Sequence, residues 1–137
     1  MSWSSSRPIQ HKMEPKMEHT IPLPNGKAAS GMPLVGLGTW TVTKEDDAAR
    51  AVHAALLAGY QLIDTAAAYG NEHVIGRTMQ EVFKETGLKR DKVFLTSKVP
   101  PKDMASAQSV RRCVQQSLER LQTTYIDLYL IHWPGTG

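Results

Sequence analysis

Between Met32 and Trp133, short apolar runs alternate with longer stretches whose apolar residues recur at helical spacing. MPLVGLGTW (32–40) is a glycine-spaced apolar run and predicts a strand. TKEDDAARAVHAALLAG (43–59) predicts a helix with Ala48, Val52, Ala55 and Leu56 on one face. Thr43 and Asp46 have capping-box spacing at its start, and Gly59 is a stop signal. QLIDTA (61–66) is the second strand. The next helix, NEHVIGRTMQEVFKETG, puts Ile75, Met79, Val82 and Phe83 on one face and ends at Gly87. KVFLTSKV (92–99) is the third strand. ASAQSVRRCVQQSLERLQ is a third helix that aligns Ala107, Val110, Val114, Leu118 and Leu121, and YIDLYLIHW (125–133) is the fourth strand.

Strands separated by helices predict parallel pairing with crossover helices. Two architectures fit, a doubly wound sheet and a (β/α)8 barrel. A dinucleotide-binding sheet calls for G-x-G-x-x-G after its first strand. The first turn here supplies Gly36 and Gly38 with no third glycine at the required spacing, so the barrel is the better fit. Ahead of the repeat, Asn25-Gly26 sits between short strand-like pieces, a type I′ hairpin signal. Residues 1–19 are polar, with Ser and Pro and no apolar core of a secretory signal, and are expected to be a disordered leader. They lack an Arg-rich amphipathic face, though three basic residues leave organelle import open.

Composition narrows the classes. In 137 residues, 41% are apolar and 21% charged, the balance of a globular domain. No run approaches the roughly 18 apolar residues of a membrane span. The net charge of +3 is scattered, without a basic stripe that would suggest nucleic acid, though it suits a phosphorylated small ligand. Cys113 is the only cysteine, so no intrachain disulfide or Cys-based metal cluster is expected. A reducing, cytoplasmic setting follows, with Cys113 read as a helix-face residue.

Candidate chemistry lies at the strand ends. Asp64, Lys98 and His132 fall late in the second, third and fourth strands, 34 residues apart. In a parallel barrel equivalent strand ends meet at one rim, where barrel enzymes carry their sites. Side-chain alternation places Leu62 with Asp64, Phe94 and Thr96 with Lys98, and Leu128 and Leu130 with His132, so all three polar groups are expected to point inward. Taken singly, each has a plainer reading: an N-cap for Asp64, a solvated amine for Lys98, a satisfied core imidazole for His132.

The segment G59-Y-Q-L-I-D-T-A-A-A-Y-G-N-E-H-V-I-G76 resembles an aldo-keto reductase signature, with Gln61 where the family usually has Arg. GLGTW (36–40), FLTSK (94–98) and DLYLIHWP (127–134) resemble further segments of that family. The resemblance covers about residues 20–137. It implies NADPH-dependent reduction of an aldehyde or ketone with no metal. Tyr69 would be the general acid. Lys98 beside it would favour loss of the phenolic proton. Asp64 would fix Lys98, and His132 would orient the carbonyl. It further implies that Thr39, Trp40 and Asp64 approach the nicotinamide end of NADP(H), and that Trp40, His132 and Trp133 line the substrate pocket. Rim packing is the plainer role for both tryptophans, and packing on the helix for Tyr69.

A barrel takes about 250 residues. Residues 20–137 are therefore expected to be the N-terminal half of a truncated barrel, a hairpin plus about four parallel strands and three helices. The family's main cofactor grip follows the fourth strand. The isolated chain is expected to be inactive and to expose two strand edges through which it self-associates, whereas a full barrel would be monomeric. The alternative is a non-catalytic or binding form of such a barrel.

Overall fold

Proline and glycine break the first apolar run into two strands that belong to different sheets. The structure, a computed structural model, describes residues 20–23 and 31–135. β1 (Thr20–Ile21) pairs antiparallel with β2 (Met32–Pro33), and β3 (Leu37–Gly38) begins a separate parallel sheet. Pro33 has no N–H to extend a ladder. Gly36 passes so close to Leu62 that a Cβ there would lie 2.7 Å from the Leu62 Cβ. The single strand expected over 32–40 is thus corrected to two. The expected leader (1–19) and hairpin turn (Asn25-Gly26) lie outside the described residues.

The main sheet has the order β3-β4-β5-β6, with β4 at Leu62–Asp64, β5 at Phe94–Val99 and β6 at Leu128–Ile131, every pair parallel. Each crossover carries one helix: α1 (Glu45–Leu57), α2 (Glu72–Thr86) and α3 (Ala107–Arg120). Asp64 pairs with Thr96, and Thr96 with Leu128. A step of 34 residues along the chain therefore lands two residues further up each neighbouring strand. Tilted barrel strands need that stagger to bring side chains level at a rim.

The sheet buries both faces unequally. Ile63 and Leu95 point to the helix side, where they pack with Val52, Leu56, Ile75, Met79, Val82, Val93 and Leu121 into the main core. Leu62, Phe94 and Thr96 occupy the opposite face and are also buried. At the edge, Leu130 and Ile131 are exposed. Below the sheet Arg90 joins the strand starts. Its guanidinium donates to Thr123 Oγ1 and to the Tyr125 carbonyl at 2.9 Å each, and pairs with Asp127, whose Oδ2 also accepts from the Leu95 amide. Among the described residues, no helix is long and apolar enough to cross a membrane.

The helix ends follow local chemistry, with two corrections. α2 ends where Gly87 takes the left-handed conformation (φ 77°) and returns its N–H to the Phe83 carbonyl, as expected. α1 starts after Lys44 with no side-chain cap, so Thr43 and Asp46 form no capping box. Three acidic residues in its first turn suit the helix dipole instead, and Glu45 reaches His73 and Arg77 of α2. In α3 the buried positions are Cys113 and Ser117, followed by Leu121; Val110, Val114 and Leu118 are half-buried and Ala107 is exposed. The helix is turned so that small polar residues meet a buried carboxylate, that of Glu72. Glu72 accepts from Ser97 Oγ (2.7 Å), Ser117 Oγ (3.3 Å) and Arg120 Nε (2.8 Å). Cys113, read from sequence as a helix-face residue, is buried against Tyr129, with Sγ and the phenol oxygen 3.4 Å apart. Burial pushes the Tyr129 phenol well above its ordinary value, and the Cys113 contact adds to this.

α2 and α3 cross at Gly76. A Cβ there would meet the Arg120 carbonyl oxygen and, at 2.6 Å, the Leu121 carbonyl carbon. Backbone cannot step aside as a side chain can. Gly76→Ala should therefore destabilise the chain by about 1–3 kcal/mol despite the better helix propensity of alanine. Urea unfolding checks this, and an unchanged or raised midpoint would show the crossing is loose.

Candidate active site

Side chains from β4, β5, the loop after β4 and the residue after β6 meet at the carboxyl end of the sheet. Lys98 lies near the end of β5 and its ammonium has three donors to satisfy. Asp64, at the end of β4, accepts from it through Oδ1 (2.9 Å) and Oδ2 (2.8 Å). The Thr65 carbonyl accepts at 2.8 Å and the Tyr69 hydroxyl lies at 3.5 Å. The Lys98 side chain is 12% exposed and that of Asp64 40%, so the amine is enclosed while the carboxylate faces the open mouth.

Tyr69 is placed by a short turn. Residues Ala67–Tyr69 form one turn of 3₁₀ helix, and Gly70 follows with φ 74°, a conformation that favours glycine. The chain thus reverses directly after Tyr69 and enters α2. His132 continues the sheet ladder one residue past β6 through its N–H to the Val99 carbonyl (3.1 Å). Its ring stands edge-on to Tyr69, with centroids 5.3 Å apart, and touches the Trp133 ring at 4.1 Å. Among the described residues, the buried His132 Nδ1 has no hydrogen-bond partner.

The expected site residues separate into two kinds. Asp64, Tyr69, Lys98 and His132 form one contiguous cluster. Trp40 and Trp133 are exposed beside it, at 71% and 47%. Thr39 is buried. Its N–H and its hydroxyl both donate to the Asp64 carbonyl (3.0 and 3.1 Å), so its side chain is spent on holding β4. What the Thr39–Trp40 turn presents outward is the indole. A cavity of about 720 Å³ lies between the loops and α3, lined by Ala68, Gly70, Pro101, Arg120 and Trp133 among others. None of the four clustered side chains lines it.

Two contributors were given no role from the sequence. Asn71 is buried and bridges Thr39, Val42 and Thr65. Glu72 bonds Ser97, the neighbour of Lys98. Both stand in the quoted signature. A polar pair opening an amphipathic helix was the available signal.

Burial and the nearby Lys98 ammonium lower the His132 pKa from its ordinary 6.5, while Asp64 opposes them. Lys98→Met should therefore raise it and Asp64→Asn lower it further, as read by NMR titration of the imidazole protons. A shift in the opposite sense for either variant would contradict this electrostatic account. Between the folded and unfolded values the unfolded chain binds the extra proton, so stability rises with pH there. The contribution of His132 is fully present above about 6.5 and falls away as pH drops toward the lowered folded value.

Comparison with known proteins gives the lineage. Residues 34–136 match the Aldo/keto reductase family. A glyoxal reductase of Bacillus subtilis is 42% identical over 123 residues, covering 90% of this chain and 42% of that protein. Aldose reductase C of Dictyostelium discoideum is 45% identical over 103 residues, 75% of this chain and 32% of that one. Among solved structures, the aldose reductase from Schistosoma japonicum superposes with a TM-score of 0.71 at 37% identity, covering 84% of this chain and 37% of that chain. The chain thus spans well under half the length of these relatives. It belongs to the aldo/keto reductase family, and its four-stranded sheet with three crossover helices is part of a (β/α)8 barrel.

Proposed function

We propose that these residues form the acid–base centre of an NADPH-dependent reductase that converts an aldehyde or ketone to an alcohol. The observation that supports this most is the Lys98 ammonium, which binds the Asp64 carboxylate while lying 3.5 Å from the Tyr69 hydroxyl. Family membership supports carbonyl reduction in general.

The residues at the mouth fit the reacting end of a nicotinamide cofactor. Trp40 offers an exposed aromatic face beside the cluster, and the half-open Asp64 carboxylate within it offers an acceptor. Thr39 serves that end of the cofactor by fixing the turn and the Asp64 carbonyl. When bound, NADPH supplies the hydride to the carbonyl carbon. The polypeptide handles the oxygen. Tyr69 donates its phenolic proton there, which completes the alcohol. The negative charge left on the phenolic oxygen faces the Lys98 ammonium, and Asp64 holds that ammonium in place. His132 has its pKa lowered by burial and by Lys98, so at neutral pH it is a neutral imidazole with one N–H to give to the carbonyl oxygen. Trp40 and Trp133 flank the opening as apolar walls.

The barrel segments that complete the cofactor grip in longer relatives are, on this reading, required for turnover. A polypeptide of these 137 residues alone should give no NADPH-dependent reduction of an aromatic aldehyde. Steady turnover by it would overturn that expectation. In a chimeric barrel, these residues replace the matched segment of the Bacillus subtilis relative. Reduction should appear there, and Tyr69→Phe should lower kcat by about 10²–10⁴-fold. Undiminished turnover in that variant would remove Tyr69 from the role of acid.

A further inference from the structure

Thr41 has φ 65°, a left-handed conformation that a β-branched residue rarely adopts and keeps only where its surroundings hold it. The turn's own closing bond is long, with the Val42 N–H 3.4 Å from the Thr39 carbonyl. The firmer hold comes from across the fold. Asn71 Nδ2 donates to the Thr39 carbonyl at 2.9 Å and to the Val42 carbonyl at 3.2 Å. One amide therefore spans both sides of the strained residue. Its other end is oriented by the Thr65 hydroxyl, which donates to Oδ1 at 3.1 Å. Thr65 is fully buried, and its own carbonyl accepts from Lys98.

We infer that Asn71 is a positioning residue that clamps the Trp40 turn in its strained form and ties it to the Asp64–Lys98 pair. The clamp presents the Trp40 indole at the mouth in one orientation, so it sets the shape of the carbonyl pocket without touching the carbonyl. Only that last role rests on the proposed reductase function. The clamp stands on the hydrogen bonds alone.

The strain supplies a test by rescue. With Asn71 gone, Thr41 should relax and the turn should reorganise. Glycine at 41 adopts positive φ without penalty, so the turn should persist unclamped. The 137-residue chain is labelled with 5-fluorotryptophan, which reports on Trp3, Trp40 and Trp133 by ¹⁹F NMR, each assigned by substitution to Phe. In Asn71→Ala the Trp40 resonance should shift or split while the other two stay in place. Adding Thr41→Gly should return it to its original position. Asn71→Asp loses both donated bonds but keeps an acceptor for Thr65, and should behave as Asn71→Ala does. An unmoved Trp40 signal, equal changes at all three tryptophans, no recovery with Thr41→Gly, or failure of both Asn71 variants to fold would each overturn the proposal. In the chimeric barrel, Asn71→Ala should raise the KM for the carbonyl about tenfold, the worth of one buried hydrogen bond, with kcat little changed. If the unmodified chimera shows no turnover, the reductase reading fails, and the NMR result still decides the clamp.

Discussion

The Lys98 ammonium organises the upper end of this sheet because an enclosed cation must find partners for all its protons. Asp64, the Thr65 carbonyl and Tyr69 all come from β4 or the loop that follows it, so one side chain on β5 fixes the exit path of its neighbour. Asp64 is the charged partner, and an apolar group in its place would take the counter-charge from the enclosed amine. Removing either partner of such a pair costs about 3–5 kcal/mol when the other stays enclosed. The half-open position of Asp64 reduces that figure.

Around this point the structure distributes polar groups by distance from the mouth. Thr39 holds the Asp64 carbonyl, and Asn71 holds the Thr39 carbonyl and accepts from the Thr65 hydroxyl. Behind β5, Glu72 joins Ser97 to Ser117 and Arg120, so the strand that carries Lys98 is tied to both flanking helices. At the far end, Arg90 and Asp127 lock the strand starts. The apolar core between sheet and helices lies between these polar layers, and its residues alternate along each strand with the inward side chains. Barrel sheets keep this division, with stability toward one end and chemistry at the other.

Much of this was legible in the sequence because the signals were periodic. Ile63 and Leu95 against Leu62 and Phe94 follow from strand alternation, and the equal spacing of Asp64, Lys98 and His132 follows from repeated units with a constant stagger. What escaped the sequence was set by contacts between distant residues. Nothing local shows that Gly36 must pass over Leu62, and so the run 32–40 reads as one strand. Nothing in the α3 pattern shows that Ser117 faces a buried Glu72, and so a stripe of Val110, Val114 and Leu118 reads as the core face. Thr39 reads as a cofactor-side residue through the family resemblance, and the bond from its hydroxyl to the Asp64 carbonyl is likewise set by a distant residue. The function of a polar residue depends on what already occupies its hydrogen bonds, and sequence spacing does not report that.

The cluster also shows how little of a barrel its assembly requires. Asp64, Lys98 and His132 stand on β4 and β5 and just past β6, each strand paired with the next. Their meeting depends on two parallel pairings and the stagger between them, not on closure of the ring. Tyr69 needs only the turn after β4 and the left-handed Gly70. The walls of the mouth differ in kind. Trp40, Leu130 and Trp133 are exposed rather than packed. The geometry of the cluster is therefore a nearest-neighbour property of the sheet. That is why a chain spanning under half the length of these relatives brings Asp64, Tyr69, Lys98 and His132 together.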